Sequence, residues 1–277
     1  MVRLIAGLVG LFFAGWLLVS FGMGAYAYIT EPPAATAEAK FYKHPKHVSF
    51  ASDGPLGRFD RQQLQRGFQV YKEVCAGCHS LRLVSFRDLA ALGYNEDEVK
   101  AIAANWPVET PDINPETGEP ATRKPIAADR IPSPYANDTA ARAANNNALP
   151  PDLSLMTKAR HDGPAYVYSL LTGYQQVPAD LPKANHPGQG LHYNPYFPNL
   201  NLAMPAPITS EGQVTYADGT KSTVDQMAKD VSAFLIWTAE PKLENRKSAG
   251  WAVIIFLLIA TALGYMAYRN VWADEKH

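Results

Sequence analysis

The only two cysteines of the chain fall in one short window, Cys75-Ala76-Gly77-Cys78-His79, with a histidine directly after the second. Two thiols separated by two residues and followed by an imidazole have the spacing of a c-type haem attachment site. Each thiol can add across a vinyl group to give a thioether, and His79 then stands ready to ligate the iron from one face. A structural zinc site would need two more ligands from elsewhere, since such sites are nearly always four-coordinate. A redox-active dithiol calls for a βαβ context, and none is legible around Cys75. With no further cysteine there is no disulfide framework, although the haem reading places this part of the chain in an export compartment.

The opposite face of the iron needs its own ligand. A thioether sulfur there makes a low-spin electron-transfer haem of raised potential. Met1, Met23 and Met266 lie in or before apolar runs, and Met227 sits on a helical stripe where packing is its role. Met156 and Met204 remain. Met204 lies in Leu202-Ala203-Met204-Pro205-Ala206-Pro207, a proline-stiffened loop able to hold a sulfur at fixed height. Its competitors are Met156, His186 and His192, and an open sixth position is a further option. His44 and His47 have no third ligand nearby and read as part of a solvated lead-in, residues Glu31–Leu56.

Two helices are expected to position the motif. Asp60 caps the first, with Gln63 completing a capping-box pattern, and Leu64, Phe68 and Tyr71 make one apolar face. Gly67 flanks that face, where a missing side chain lets another helix approach. The second begins at Thr223 and Gln226, again a capping-box pattern, carries Met227, Val231, Phe234 and Leu235 as its stripe, and must stop before Pro241. Two helices crossing beside a haem motif is the arrangement of cytochrome c folds. Between them periodicity is poor. Gly93–Pro120 holds Glu96, Asp97, Glu98, Glu109, Asp112, Glu116 and Glu119 against Lys100 alone. Thr110–Pro151 is rich in Pro, Asn and Ala, with a short helix near Thr139–Asn145. Tyr166–Thr172 is an apolar run ended by Gly173, and Gly188–Pro207 is a loop crowded with Asn, Pro and aromatics. Long ordered loops are often functional, and wrapping a flat cofactor gives them a purpose. The expected fold is mainly α with long loops.

Leu4–Tyr28 and Ser248–Tyr268 are uninterrupted by charge, each long enough to cross a hydrocarbon core of roughly 20 residues. The first follows Met1-Val2-Arg3, the charged start of an export signal. Ala25-Tyr26-Ala27 and Ala35-Thr36-Ala37 are small-residue cleavage patterns, but the apolar run is longer than the ~7–15 residues of a signal core. A cleaved signal and a retained anchor both stand. The expected organisation is 1–37 as signal or anchor with linker, 38–247 as a periplasmic haem domain, 248–268 as a transmembrane helix and 269–277 as a cytoplasmic tail. The positive-inside rule mildly opposes that orientation, because Lys242, Arg246 and Lys247 precede the second run and Arg269 and Lys276 follow it. Haem attachment on the exported side outweighs this count. A formal charge of −1 argues against nucleic acid as a partner, which calls for a basic face.

Arg66-Gly67-Phe68-Gln69-Val70-Tyr71-Lys72-Glu73-Val74-Cys75 leading into the motif resembles the cytochrome c1 family, the haem subunits of the ubiquinol–cytochrome c reductase (cytochrome bc1) complex, in its bacterial type. So do Ala141-Arg142-Ala143-Ala144-Asn145-Asn146, Ala148-Leu149-Pro150-Pro151-Asp152-Leu153-Ser154, Ser169-Leu170-Leu171-Thr172-Gly173-Tyr174, Asn194-Pro195-Tyr196-Phe197-Pro198 and Ala203-Met204-Pro205. The resemblance runs from about Gly54 to the end. It implies covalent haem c on Cys75 and Cys78, with His79 and Met204 as axial ligands and therefore the iron-binding pair. It implies a haem pocket at Asn145, Pro150, Pro151, Arg160, Tyr166, Leu170 and Phe197. In that pocket Arg160 would make charge-assisted hydrogen bonds to a haem propionate, and the prolines, Leu170 and Phe197 would keep water from the iron. Gln175–Leu191 is longer than in the eukaryotic family and the tail after Tyr268 is short, which touches only contacts with other subunits.

The resemblance further implies cytochrome b, a Rieske iron–sulfur protein and a cytochrome c-type acceptor as partners, in a dimeric complex of the bacterial inner membrane. No Ser/His/Asp set, paired carboxylate motif or phosphate loop is present, so the expected role is electron transfer with no catalytic acid, base or nucleophile. The acids of Gly93–Pro120 are candidates for steering a basic cytochrome c, with a plain solvated loop as the alternative. Two rival readings stand beside this one: a haem c subunit of a different membrane dehydrogenase or reductase, and a haem sensor with an exchangeable sixth ligand.

Overall fold

The computed structural model describes residues 2–31 and 36–274. Ala35, which opens the second cleavage pattern, and the end of the tail to His277 lie outside these residues. Two compact units emerge, Met1–Phe41 and Tyr42–His277.

In the first unit, α1 (Val2–Thr30) is one uninterrupted apolar helix with every side chain outside any core, followed by the short α2 (Ala37–Phe41). At 1.5 Å per residue the 29 residues of α1 measure roughly 43 Å, more than the ~30 Å hydrocarbon core of a bilayer.

The second unit is mainly helical with two small hairpins and long loops. Its centre is the crossing of α3 (Arg61–Val70) and α8 (Val224–Ala239). Leu64, Phe68, Met227, Val231, Phe234 and Leu235 are all buried there, so the apolar faces read from the sequence meet as expected. Gly67 is the point of contact: a Cβ added to it would lie 2.1 Å from the carbonyl oxygen of Asp230. Only a residue without a side chain lets the backbones come so close.

Neither capping box closes. Asp60 accepts from Gln62 N and Gln63 N, and Thr223 accepts from Gln226 N. Both glutamine side chains turn instead to Asp230, whose Oδ1 accepts from Gln63 Nε2 at 3.0 Å and from Gln226 Nε2 at 2.8 Å. Arg66 Nε donates to Oδ2 at 2.9 Å and Nη1 reaches Asp218 at 2.7 Å. Asp230 is fully buried. An unpaired charge there would cost far more than a free helix end in water, so the carboxylate captures the donors that the caps would have used.

The segment expected to be irregular holds more structure than its composition suggested. Phe86–Leu92 forms a 3-10 helix capped by Ser85 and Asp88, and α4 (Glu96–Ala104) is capped by Asn95 and Glu98. Strands β1 (Thr110–Ile113) and β2 (Pro120–Arg123) pair antiparallel. The short helix near residue 140 is α5 (Asp138–Ala144), followed by α6 (Met156–Ala159) and α7 (Gly163–Leu171), the latter covering the apolar run before Gly173. A two-residue pairing of β3 (His192–Tyr193) with β4 (Asn201–Leu202) closes the loop before Met204.

The lead-in is pinned at Lys46, whose backbone N donates to Ser169 Oγ at 2.7 Å and whose Nζ donates to Thr172 Oγ1 at 2.7 Å. His44 and His47 are exposed, and among the described residues no cluster of three His, Cys, Asp or Glu exists. The last helix is α9 (Leu243–Val271), which starts with the buried Leu243 and a charged first turn and is apolar and exposed from Trp251 on. Its first turns lock onto the domain: Lys247 Nζ donates to the carbonyls of Ser52 and Gly54 at 2.6 Å each, and Glu244 pairs with Arg61 at 2.9 Å.

Candidate haem site

α3 delivers the attachment motif through a single π-helical turn, Tyr71–Cys75. Such turns mark functional positions in helices. Here Ala76 N donates to Tyr71 O at 2.8 Å and His79 N to Cys75 O at 2.9 Å, so the five motif residues are wound into a compact cap. The buried Tyr71 ties the end of this cap, its hydroxyl donating to His79 O at 2.9 Å. Cys75 is buried and Cys78 exposed. Burial pushes the Cys75 thiol up to about 12, with the neighbouring Cys78 adding to the shift. The buried site therefore favours the neutral thiol over the thiolate.

His79 is oriented by a second strand of chain. Its Nδ1 lies 2.8 Å from Pro151 O. A carbonyl only accepts, so Nδ1 must be the protonated nitrogen, and in the neutral ring Nε2 keeps its lone pair. Burial favours that neutral form and lowers the His79 pKa, although the bond to Pro151 and the charge of Asp152 act the other way. An Nδ1–H bonded to a backbone carbonyl is the usual support of an imidazole that ligates metal through Nε2. The donor set thus fits a c-type haem.

Residues 79–83 and 151–154 are stitched together around this bond. Leu153 N donates to Ser80 O at 2.9 Å, Ser80 Oγ to Asp152 Oδ2 at 2.7 Å, Arg82 N to Asp152 Oδ2 at 2.8 Å, and Leu83 N to Ser154 Oγ at 3.1 Å. Asp152 is the organising residue that the sequence did not single out. Burial alone would raise its carboxyl pKa, but the donors from Arg82, Ser154 and Ser80 hold it below the ordinary value.

The other expected pocket residues fall into two groups. Pro151, Arg160 and Met156 line one cavity of about 450 Å³ together with Arg82, Leu83, Arg130, Asp152, Leu155 and Ala159. Pro150 is half-buried before Pro151. Asn145, half-buried at the end of α5, donates to Tyr135 Oη at 2.9 Å and Ala141 O at 2.7 Å. Arg160 hydrogen-bonds Tyr166, itself buried in α7, where burial raises its phenol pKa. Tyr166 in turn lies near enough to Tyr174 to act on its charge, and Tyr174 donates its hydroxyl proton to Met204 O at 2.9 Å.

Leu170, on the same helix α7, gives its carbonyl to Asn194 Nδ2 at 2.8 Å. Asn194 is fully buried, and its backbone carbonyl takes Phe197 N at 3.1 Å while its own N donates to Leu200 O at 2.8 Å. Leu200 is held at φ 65°, a costly conformation for a bulky side chain. That strained residue opens the short strand leading to Met204, which is half-buried and packs on the core. Tyr174 and Asn194 are the residues that a motif reading missed. Both stand inside quoted motifs, but only the folded chain reveals that they grip Met204 and Leu170. Of the competing ligands, His186 has Nε2 engaged with Leu181 O at 3.0 Å, His192 is exposed in β3, and Met156 lies in the cavity beside Pro151.

A mainly helical domain whose central crossing feeds a Cys-X-X-Cys-His cap, with the histidine held for ligation, defines a c-type haem protein. The profile of the Cytochrome C1 family matches residues 50–275, and the chain belongs to the cytochrome c1 family. Cytochrome c1 of Rhodospirillum rubrum is 46% identical over 236 residues, spanning 81% of this chain and 86% of that protein. Cytochrome c1 1, heme protein, mitochondrial, of Arabidopsis thaliana is 44% identical over 260 residues, spanning 94% and 82%. Cytochrome b/c1 of Bradyrhizobium diazoefficiens is 45% identical over 245 residues, spanning 82% of this chain and 35% of that protein.

Proposed function

We propose that the chain carries one haem c, linked through Cys75 and Cys78 and ligated by His79 and Met204, and relays single electrons from a Rieske iron–sulfur protein to a cytochrome c. It does so as the haem subunit of a quinol-oxidising complex in the bacterial inner membrane. Bound there, haem c supplies a one-electron iron centre whose potential a thioether ligand raises.

The chain's own residues bind, orient and shield. The Pro151 carbonyl fixes the His79 ring and increases its basicity. Tyr174 and the strained Leu200 fix the loop of Met204. Pro150, Pro151, Leu170 and Phe197 exclude water, and Asn145 and Tyr166 complete the wall with Arg160 at its edge. The single observation that carries the reading is the 2.8 Å bond from His79 Nδ1 to Pro151 O beside the two cysteines.

Membrane attachment follows from α9, whose first turns are bonded into the haem domain. The bonds of Lys247 to Ser52 and Gly54 and the pairing of Arg246 with Glu240 commit those cations to the domain. The charge count still mildly opposes a periplasmic domain, and haem attachment on the exported side is what supports that orientation with a cytoplasmic C-terminus. The proposed division takes 38–247 as the haem domain, 248–268 as the span within α9 (Leu243–Val271) and 1–37 as signal or anchor, close to the unit boundary at Phe41.

The Bradyrhizobium relative, cytochrome b/c1, carries both names on one polypeptide of which this chain covers 35%, which supports cytochrome b as a partner. Purification of the intact complex tests the reading. Cytochrome b and a Rieske protein should co-purify with this chain in a dimeric assembly. A complex holding a different dehydrogenase or reductase subunit and no cytochrome b would refute it.

A further inference from the structure

The cavity beside Pro151 is lined by Arg82, Arg130 and Arg160 and by one acid, Asp152. Asp152 is already committed: it accepts from Ser80 Oγ, Arg82 N and Ser154 N, and its remaining ion pair is with Arg82 Nε at 3.5 Å. Arg82 and Asp152 therefore neutralise each other. Among the described residues, no ion pair engages Arg130 or Arg160. Arg160 uses one nitrogen on Ala159 O at 3.2 Å and a second donor on the Tyr166 hydroxyl, and Arg130 uses Nη1 on Arg82 O at 3.1 Å. A guanidinium has five N–H donors, so each keeps most of its donors for something else.

Arg130 is not a casual surface residue. Its backbone forms an isolated antiparallel bridge with Ser85, Ile131 N donates to Val84 O at 2.9 Å, and Phe86 N donates to Asp129 O at 3.0 Å. Ile131 is buried on one side of this bridge, while the Arg130 side chain lines the cavity. The segment after His79 thus carries Arg130 to the rim by backbone bonding, independently of any charge. Two guanidinium groups without carboxylates face one cavity, and a haem brings two propionates.

We propose that Arg130 is a second cation for the haem propionates, so that the two carboxylates are shared between Arg160 and Arg130. This rests on the haem reading given above. A planar guanidinium suits bidentate carboxylate recognition better than an ammonium. A fixed positive charge beside the haem also disfavours the oxidised, more positive state, so Arg130 holds the potential up.

The test is the midpoint potential of the intact complex carrying Arg130→Gln, Arg130→Lys or Arg87→Gln. Arg87 is exposed and does not line the cavity, so it reports the loss of one distant charge. Covalent haem is assayed first in each variant. Its absence from the unaltered chain would refute the haem reading itself, separately from the role of Arg130. With haem present, Arg130→Gln should lower the potential clearly more than Arg87→Gln, and Arg130→Lys should recover part of the fall. A potential unchanged in Arg130→Gln, or lowered no more than in Arg87→Gln, overturns the proposal. So does a changed salt dependence of electron transfer at unaltered potential, which would make Arg130 a docking residue for a protein partner.

Discussion

Replacing Gly67 by alanine tests the crossing on which the haem cap hangs. Alanine is the better helix former by about 1 kcal/mol, so on local grounds the change should stabilise α3. The new Cβ, however, would stand 2.1 Å from Asp230 O, 2.7 Å from Asp230 C and 2.7 Å from Phe234 Cβ. The obstacle is mostly backbone, which cannot rotate away, so α3 and α8 must separate. Overpacking a well-filled interior typically costs about 1–3 kcal/mol, and here separation also stretches the bonds from Gln63 and Arg66 to a fully buried carboxylate. We take a gross cost of about 3–4 kcal/mol against the ~1 kcal/mol propensity gain. The net loss of about 2–3 kcal/mol corresponds to a fall in Tm of roughly 5–10 °C for a domain of this size. Thermal unfolding of the haem-loaded protein, followed by circular dichroism in the haem band, measures it. Gly77→Ala is the matched control, since nothing lies within 4 Å of a Cβ placed there, and it should shift stability by no more than about 0.5 kcal/mol. If Gly67→Ala proves as stable as the unaltered chain, the close crossing does not hold the cap and the reasoning fails.

Three further outcomes follow from the same contacts. Asp230→Ala leaves Arg66 with Asp218 alone and strips Gln63 and Gln226 of their acceptor, so it should destabilise by about 3 kcal/mol, the lower end for breaking a buried pair; denaturant unfolding reads this out, and a change below about 1 kcal/mol would contradict it. Lys46→Met removes the bonds to Thr172 and the cation–π contacts with Tyr168 and Tyr196, and should increase protease cleavage of the lead-in while leaving the haem spectrum unchanged. Neutralising Glu96, Asp97 and Glu98, which are exposed in the first turn of α4, should flatten the dependence of electron transfer on ionic strength if that face steers a basic acceptor; an unaltered salt dependence assigns α4 to solvent only.

The attachment motif, the crossing helices and both apolar helices were legible because their signals are local. They lie in the spacing of Cys75, Cys78 and His79, in the stripes of Leu64–Tyr71 and Met227–Leu235, and in long uncharged runs. The capping boxes were misread because one buried carboxylate competes for both glutamines. Gln63 and Gln226 had the right spacing, but Asp230 lies one turn along the helix from Gln226 and more than a hundred residues from Gln63 in sequence. The helix Glu96–Ala104 was hidden by its acidity, although Asn95 and Glu98 carry a readable start signal. Met204 stood out by its prolines, yet nothing in its own segment points to Tyr174, which holds its carbonyl, or to Leu200, whose backbone must be strained to deliver it. Arg130 carries no motif at all. Its place depends on a bridge to Ser85 and on Asp152 being occupied elsewhere, both properties of the folded chain.

The proposed electron relay depends on Met204 closing the iron site opposite His79. Carbon monoxide binding to the reduced complex tests it most directly. The unaltered protein should not bind carbon monoxide, and Met204→Leu should bind it readily with a lower midpoint potential. Ready binding to the unaltered protein, or a Met204→Leu variant that still resists carbon monoxide, would contradict it.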